Sequence, residues 1–507
     1  MTDLPHERFA TDLQNQSAPP EPGDVPGDVP GDVPVDRPDP GLLPADDGTS
    51  ATATGRAELL PETRRALLHA LAKAQVNGRA PSTVAAVVRD GRAQWFATRG
   101  EVAGAAPGPD TQYRIGSLTK TFVAVLVLRL REEGLLALDD RLDTHLPEAP
   151  EAGDATVAQL LSHSSGLAAE ASGPWWERTP GELRPDLPDV FGEKPRPHRP
   201  GRLFHYSNPG FALLGALVEK VRGDGWFAVL RREVLEPLGM TGTTPLPRAP
   251  HAEGWAVHPY ADVVLPEPAA DTGLMAPAGQ LWSTAADLCR FAAFLTDGDP
   301  RVLGAETLAE MRRPAAAPAS GDWRAGYGLG MQLDTVDGRA LSGHTGSMPG
   351  FVAALWTSPA DGLATVVLAN ATSGLRVGGV AAELLGLVAA REPALPAPWR
   401  PDPDADHALL ELCGTWHWGA APTQLLLGPG RTLTLGMPGA GRGSAFRPEP
   451  DGTWTGLDGY LAGERLRVVR HEDGSVSHLD VGTFVYTREP YGPAAPVPGG
   501  VDPDGWR

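Results

Sequence analysis

Only two cysteines, Cys289 and Cys413, occur in 507 residues, and they stand far apart. That excludes a disulfide framework and suits a reducing compartment. The start, Met1-Thr2-Asp3-Leu4-Pro5-His6-Glu7-Arg8, lacks the basic stretch and apolar run of a signal peptide. No uninterrupted apolar stretch reaches the roughly 18 residues of a membrane-spanning helix. Positive charge is scarce: 43 basic residues face 63 acidic ones, a net charge of −20. Such a balance argues against nucleic acid or an anionic membrane as a partner. Missing too are a Gly-x-Ser-x-Gly elbow, a His-Glu-x-x-His helix, a P-loop and any metal-ligand cluster. The glycines of Gly439-Ala440-Gly441-Arg442-Gly443 read as a turn, not a nucleotide loop. These absences lead us to expect a cytoplasmic chain without cofactor or metal.

What is present divides the chain into five parts. Residues 1–56 repeat Gly-Asp-Val-Pro three times between Gly23 and Pro34, and carry 11 acidic against 3 basic residues. A segment so poor in apolar side chains cannot offset its ordering entropy, so a disordered acidic tail is expected. Residues 57–392 hold the strongest periodic signals. Leu67, Leu68, Leu71 and Ala74 share one side of a helix over Pro61–Gln75. Thr83–Val88 and Ala93–Thr98 flank Asp90-Gly91 as a hairpin. Ser117–Glu133 is apolar nearly all round, the mark of a buried helix. Further helices are expected over Thr156–Leu161, Phe211–Val221, Trp226–Pro237 and Val377–Ala390, and from Ala285 with side-chain capping at Ser283-Thr284. Strands are expected over Gly338–Gly346, Phe351–Thr357 and Leu363–Asn370, with a long surface loop over Pro174–Pro200. A Pro-rich linker follows over 393–404. Residues 405–490 alternate in short runs separated by Gly and Asp, as in a sandwich or barrel. Residues 491–507 form a second tail.

Three short stretches carry chemistry. In Ser117-Leu118-Thr119-Lys120 the serine and lysine are three apart and share a helical face. Burial in an apolar helix disfavours the ammonium form of Lys120 and makes it a candidate base for Ser117. Backbone N–H groups at the helix start can hold an oxyanion. In Tyr206-Ser207-Asn208-Pro209, Asn208 and Pro209 also read as helix cap and first helical residue. A phenol there can relay a proton, and an amide two residues on can hold a carbonyl. His344-Thr345-Gly346, followed by Ser347, reads either as an ordinary turn with a surface histidine or as a strand edge supplying a second oxyanion N–H. His163, between Ser162 and Ser164, reads as structural.

The order of these three motifs resembles the serine β-lactamase and penicillin-binding protein superfamily. Within it, the class C β-lactamase-related branch of DD-peptidases, D-aminopeptidases and esterases is the nearest in pattern. Leu160-Leu161-Ser162-His163-Ser164-Ser165-Gly166-Leu167 and Ala278-Gly279-Gln280-Leu281-Trp282-Ser283-Thr284 also look like connecting segments of that family. The resemblance spans about residues 60–392. It implies an α+β fold: an antiparallel sheet flanked by helices, beside an all-helical subdomain. Residues 405–490 resemble the small β-barrel modules that follow the catalytic domain in some members. The resemblance implies catalysis by Ser117, Lys120 and Tyr206, and substrate binding by Asn208, His344, Thr345 and Gly346. It implies an oxyanion hole at Ser117 and Ser347. The substrates would be small esters, amides or peptides, some with a D-residue; the alternatives are a DD-carboxypeptidase, a β-lactamase, or a non-catalytic ligand sensor or scaffold. β-Lactamases of this branch usually carry lysine where this chain has His344, and a neutral imidazole attracts a carboxylate less than an ammonium does.

Overall fold

A computed structural model describes residues 58–179, 187–317, 325–396, 398–436 and 443–492. The tail over 1–56, and Gly439 to Arg442 of the glycine-rich turn, lie outside the described residues. The chain falls into two compact units that divide between Ala394 and Leu395.

The first unit is built on a seven-stranded antiparallel sheet. Its spatial order is Arg92–Gly100, Ser82–Arg89, Leu363–Ala369, Phe351–Ser358, Arg339–Met348, Gln332–Val336, Gly326–Tyr327. Alternation decides which way each side chain faces. Val84, Ala86, Val88, Ala353, Leu355, Val366 and Leu368 enter the larger core, which continues into the helical region. Their neighbours Ala85, Val87, Val352, Ala354, Trp356 and Val367 pack on the opposite side, with residues of helices Pro61–Asn77 and Val377–Arg391. Both faces are therefore covered, and three of the five inner strands, Ser82–Arg89, Leu363–Ala369 and Phe351–Ser358, read as nearly continuous apolar runs.

Helix Thr119–Glu132 runs through the larger core with 11 of its residues buried, so it has almost no solvent face. Phe122 stacks on Phe291 of helix Ala285–Asp297 at 3.7 Å. The expected single helix from Ser117 is in fact two pieces. A 3-10 turn, Gly116–Leu118, comes first, entered through Gly116 at φ 54°. Asn208 also departs from expectation. The helix spans Asn208–Arg222, and its cap is Ser207, whose Oγ accepts from the Gly210 N–H at 3.1 Å. A short serine side chain fills the cap, which leaves the Asn208 amide free to point elsewhere. The predicted helix from Trp226 starts as α-helix to Leu230 and widens into a π-helical turn, Arg231–Leu235.

The second unit is a nearly closed barrel of eight antiparallel strands, each paired with the next in sequence. First and last strands meet where His417 and Thr487 exchange N–H···O bonds of 2.7 and 2.9 Å. Trp416, Leu425, Leu433, Phe446, Leu466 and Leu479 fill the interior. Three strands, Ser444–Pro448, Trp454–Gly456 and Val476–Val481, were not expected from the alternation. The first two are only five and three residues long, too short for a period of two to stand out.

Candidate active site

Ser117 lies in the 3-10 turn and Lys120 in the first helical turn after it. Lys120 is fully buried. Its Nζ lies 2.9 Å from Ser117 Oγ, and it donates to Asn208 Oδ1 at 2.7 Å and to the Ala278 carbonyl oxygen at 2.6 Å. The Tyr206 ring centroid is 4.9 Å from the same nitrogen. Tyr206 also lies against the His163 ring, with centroids 4.1 Å apart. His163 is buried, and its Nδ1 accepts from the Ser207 N–H at 3.0 Å, so it anchors the segment that carries Tyr206 and Asn208.

Strand Arg339–Met348 approaches from the sheet. A Cβ on Gly346 would stand 2.0 Å from the Ile115 carbonyl oxygen and 2.9 Å from the Ser117 nitrogen. A Cβ on Gly116 would stand 2.5 Å from the Ser347 nitrogen. Two glycines thus let the turn and the strand edge meet backbone to backbone, with the nitrogens of Ser117 and Ser347 at the meeting point. Thr345 is held by Gln332, whose Oε1 accepts from the Thr345 N–H at 3.0 Å and from its Oγ1 at 3.1 Å.

Burial sets the charges. It pulls Lys120 down to about 7, while the carboxylates of Glu170 and Glu177 act in the opposite sense. It pushes the Tyr206 phenol well up; contact with the Ser117 hydroxyl opposes that shift, and the two carboxylates reinforce it. His344 is no surface histidine: it is 2% exposed, and burial, then the Lys120 charge, draws it down to about 3. Both its ring nitrogens are engaged. Nδ1 faces the Thr345 carbonyl oxygen at 2.5 Å, and Nε2 faces the Tyr327 hydroxyl at 2.9 Å. A carbonyl only accepts, so Nδ1 carries the proton and Nε2 accepts from Tyr327. The imidazole is neutral and turned inward.

Comparisons with known proteins bear on the family and the fold. The Beta-lactamase family model matches residues 65–390. The chain belongs to the beta-lactamase family. Members of this family are typically serine hydrolases. A second family model, described as a domain of unknown function (DUF7586), matches residues 405–488. Penicillin-binding protein 4 of Amycolatopsis lactamdurans is 31% identical over 347 residues, which is 63% of this chain and 88% of that protein. A D-stereospecific amidohydrolase from a Streptomyces species is 27% identical with a TM-score of 0.54, covering 66% of this chain and 99% of that one. The octameric penicillin-binding protein homologue from Pyrococcus abyssi shares the fold at 24% identity and a TM-score of 0.58, covering 84% of this chain and 99% of that one.

Four further residues contact this candidate site and were not anticipated. Glu170 accepts from Asn208 Nδ2 at 2.9 Å and from Trp176 Nε1 at 2.8 Å. Tyr327 and Gln332 orient His344 and Thr345. Ala278 acts through its backbone carbonyl. The only sequence signal for Glu170 is an acid after the uncharged run Ser164–Ala169; a backbone acceptor such as Ala278 gives none. Among the described residues no group of His, Cys, Asp and Glu is arranged to hold a metal, and no helix is long and apolar enough to cross a membrane.

Proposed function

We propose that this chain is a serine hydrolase that forms an acyl-enzyme on Ser117 and cleaves small esters, and amides or peptides with a D-residue. One observation carries the reading: the set of partners around Lys120. A neutral lysine has two N–H groups and one lone pair. Asn208 Oδ1 and the Ala278 carbonyl oxygen can only accept. They take the two N–H groups, and the lone pair is left facing the Ser117 hydroxyl, the one partner that has a proton to give. With the lysine near 7 and the phenol held protonated, Lys120 is the base and Tyr206 the acid.

In the proposed reaction Ser117 Oγ bonds to the substrate carbonyl carbon as its proton passes to Lys120 Nζ. The backbone N–H groups of Ser117 and Ser347 receive the oxyanion. The C–N or C–O bond then breaks, Tyr206 gives its proton to the leaving group, and Lys120 reprotonates it. Water attacks the acyl ester, losing a proton along the same route, and Ser117 is restored. Asn208, Thr345 and Gly346 line the substrate side, and His344, turned inward to Tyr327, presents no charge to it. The unpaired thiols of Cys289 and Cys413 support a cytoplasmic location, which cell fractionation checks.

The likeness to a penicillin-binding protein favours a second reading, DD-carboxypeptidase or β-lactamase activity. A neutral His344 offers no cation for the carboxylate of such substrates, which ranks it second. Incubation with a fluorophosphonate and with a fluorescent penicillin, followed by peptide mass spectrometry, tests both. We expect the phosphonyl adduct on Ser117, with turnover of D-amino-acid amides or p-nitrophenyl esters exceeding that of nitrocefin. Absence of an adduct on Ser117 from either probe would favour a non-catalytic sensor or scaffold and overturn the proposal.

A further inference from the structure

Lys120 is a directed base only while the Asn208 amide shows it oxygen and not nitrogen. Rotated by half a turn, the amide would present Nδ2–H donors to the lysine, and the lone pair of Lys120 would find a second donor competing with the Ser117 hydroxyl. Nothing on Lys120 prevents that rotation. Glu170 does. Its carboxylate is an acceptor only, and its Oε1 takes the Asn208 Nδ2–H at 2.9 Å, which leaves Oδ1 turned to Lys120 Nζ at 2.7 Å. Glu170 is itself tied down, since its Oε2 accepts from the indole of the buried Trp176 at 2.8 Å. Trp176 sits in the short 3-10 turn Trp176–Arg178, and its neighbour Arg178 is ion-paired with the buried Glu267. The rotation of an amide two contacts from the nucleophile is thus fixed by a surface turn.

We infer that Glu170 is a positioning residue for acylation: by accepting from Asn208 it fixes the amide orientation that aims the Lys120 lone pair at Ser117. The inference rests on the acyl-enzyme reading above and adds a residue to it. Glu170 also faces Lys120 electrostatically. The groups around that lysine are Tyr206 and Asn208 at the start of their helix, His163, His344 on the sheet, and the carboxylates of Glu170 and Glu177. Removing the Glu170 charge removes one influence that raises the lysine pKa, so the base form would persist to lower pH.

Two substitutions separate orientation from charge, with the rate of fluorophosphonate labelling of Ser117 as readout across pH. Glu170→Gln loses the charge and keeps one acceptor oxygen, which can serve Asn208 only by giving up the bond from the Trp176 indole. We expect its plateau rate to fall by less than that of Glu170→Ala while the acidic limb moves to lower pH. Glu170→Ala releases the amide, and we expect the plateau to fall by about 100-fold, the scale of a misplaced reacting group. The double variant Glu170→Ala/Asn208→Ala should label no more slowly than Asn208→Ala alone, because a residue that acts through Asn208 has nothing left to act on. Multiplicative losses in the double variant, or a Glu170→Ala plateau equal to that of the wild type, would overturn the inference. If Ser117 of the wild type takes no label at any pH, the acyl-enzyme reading fails instead, so the two failures are told apart. Circular dichroism of each variant confirms the fold.

Discussion

The two units hide polar side chains in opposite ways. In the barrel the largest fully buried side chains are Trp416 and Phe446, and the buried polar residues among the described ones are Ser444 and His478. In the hydrolase unit Arg114, Lys120, His163 and His344 are each no more than 2% exposed. Burying an ionisable group costs several kcal/mol unless it is paired or gives up its charge. The barrel avoids that cost with an apolar core. The hydrolase unit accepts it, and Lys120 and His344 respond by shifting toward their neutral forms. Perturbed groups of this kind gather at functional sites, and here they gather around Ser117. The contrast lies in where buried ionisable groups occur, and they occur in the first unit beside Ser117.

The strongest way to break that contrast is to remove the buried lysine. Lys120→Ala should lower the rate of fluorophosphonate labelling of Ser117 by about 10²- to 10⁴-fold, the usual contribution of a positioned base, with the circular dichroism spectrum unchanged. Labelling at the wild-type rate would rule Lys120 out as the base. Next comes the barrel. Trp416 is fully buried, and its indole donates to the Leu412 carbonyl oxygen at 2.7 Å. Trp416→Ala should cost ~3–5 kcal/mol in denaturant unfolding and, if the two units are independent, leave labelling within about twofold of wild type. A parallel loss of labelling would show that the units are coupled.

pH sharpens the comparison without a substitution. Protonated Lys120 has no lone pair, so labelling should rise with pH through about 7. A group of that pKa is roughly 99% protonated at pH 5, so the rate there should be about 100-fold below the rate at pH 9. A flat profile would mean that Lys120 is not the proton acceptor. The smallest effect concerns the Tyr327–His344 contact. Tyr327→Phe leaves a buried ring nitrogen without its donor, which should cost ~1–3 kcal/mol, read as a lower unfolding midpoint. An unchanged midpoint would mean the bond contributes nothing net.

Much of this was legible before any coordinates. The hairpin at Asp90-Gly91, the buried run after Ser117 and the cap at Thr284 all follow from local periodicity and turn chemistry. So do the i and i+3 positions of Ser117 and Lys120. Local rules were weakest where two good caps stood side by side. Ser207 and Asn208 both qualify, and tertiary contacts chose Ser207 because the Asn208 amide has partners in Lys120 and Glu170. Two barrel strands, Ser444–Pro448 and Trp454–Gly456, escaped for want of length, whereas Val476–Val481, with six residues, escaped without that reason.

The sequence by itself determined which residues are candidates for acylation and the order of the elements that hold them. Only the tertiary structure decided how they act. Lys120 meets Asn208 across 88 residues and Ala278 across 158. His344 turns inward to Tyr327 instead of outward to solvent. Burial and long-range partners set the charge on a lysine or a histidine, and neither is a property of the residues next to it in the chain.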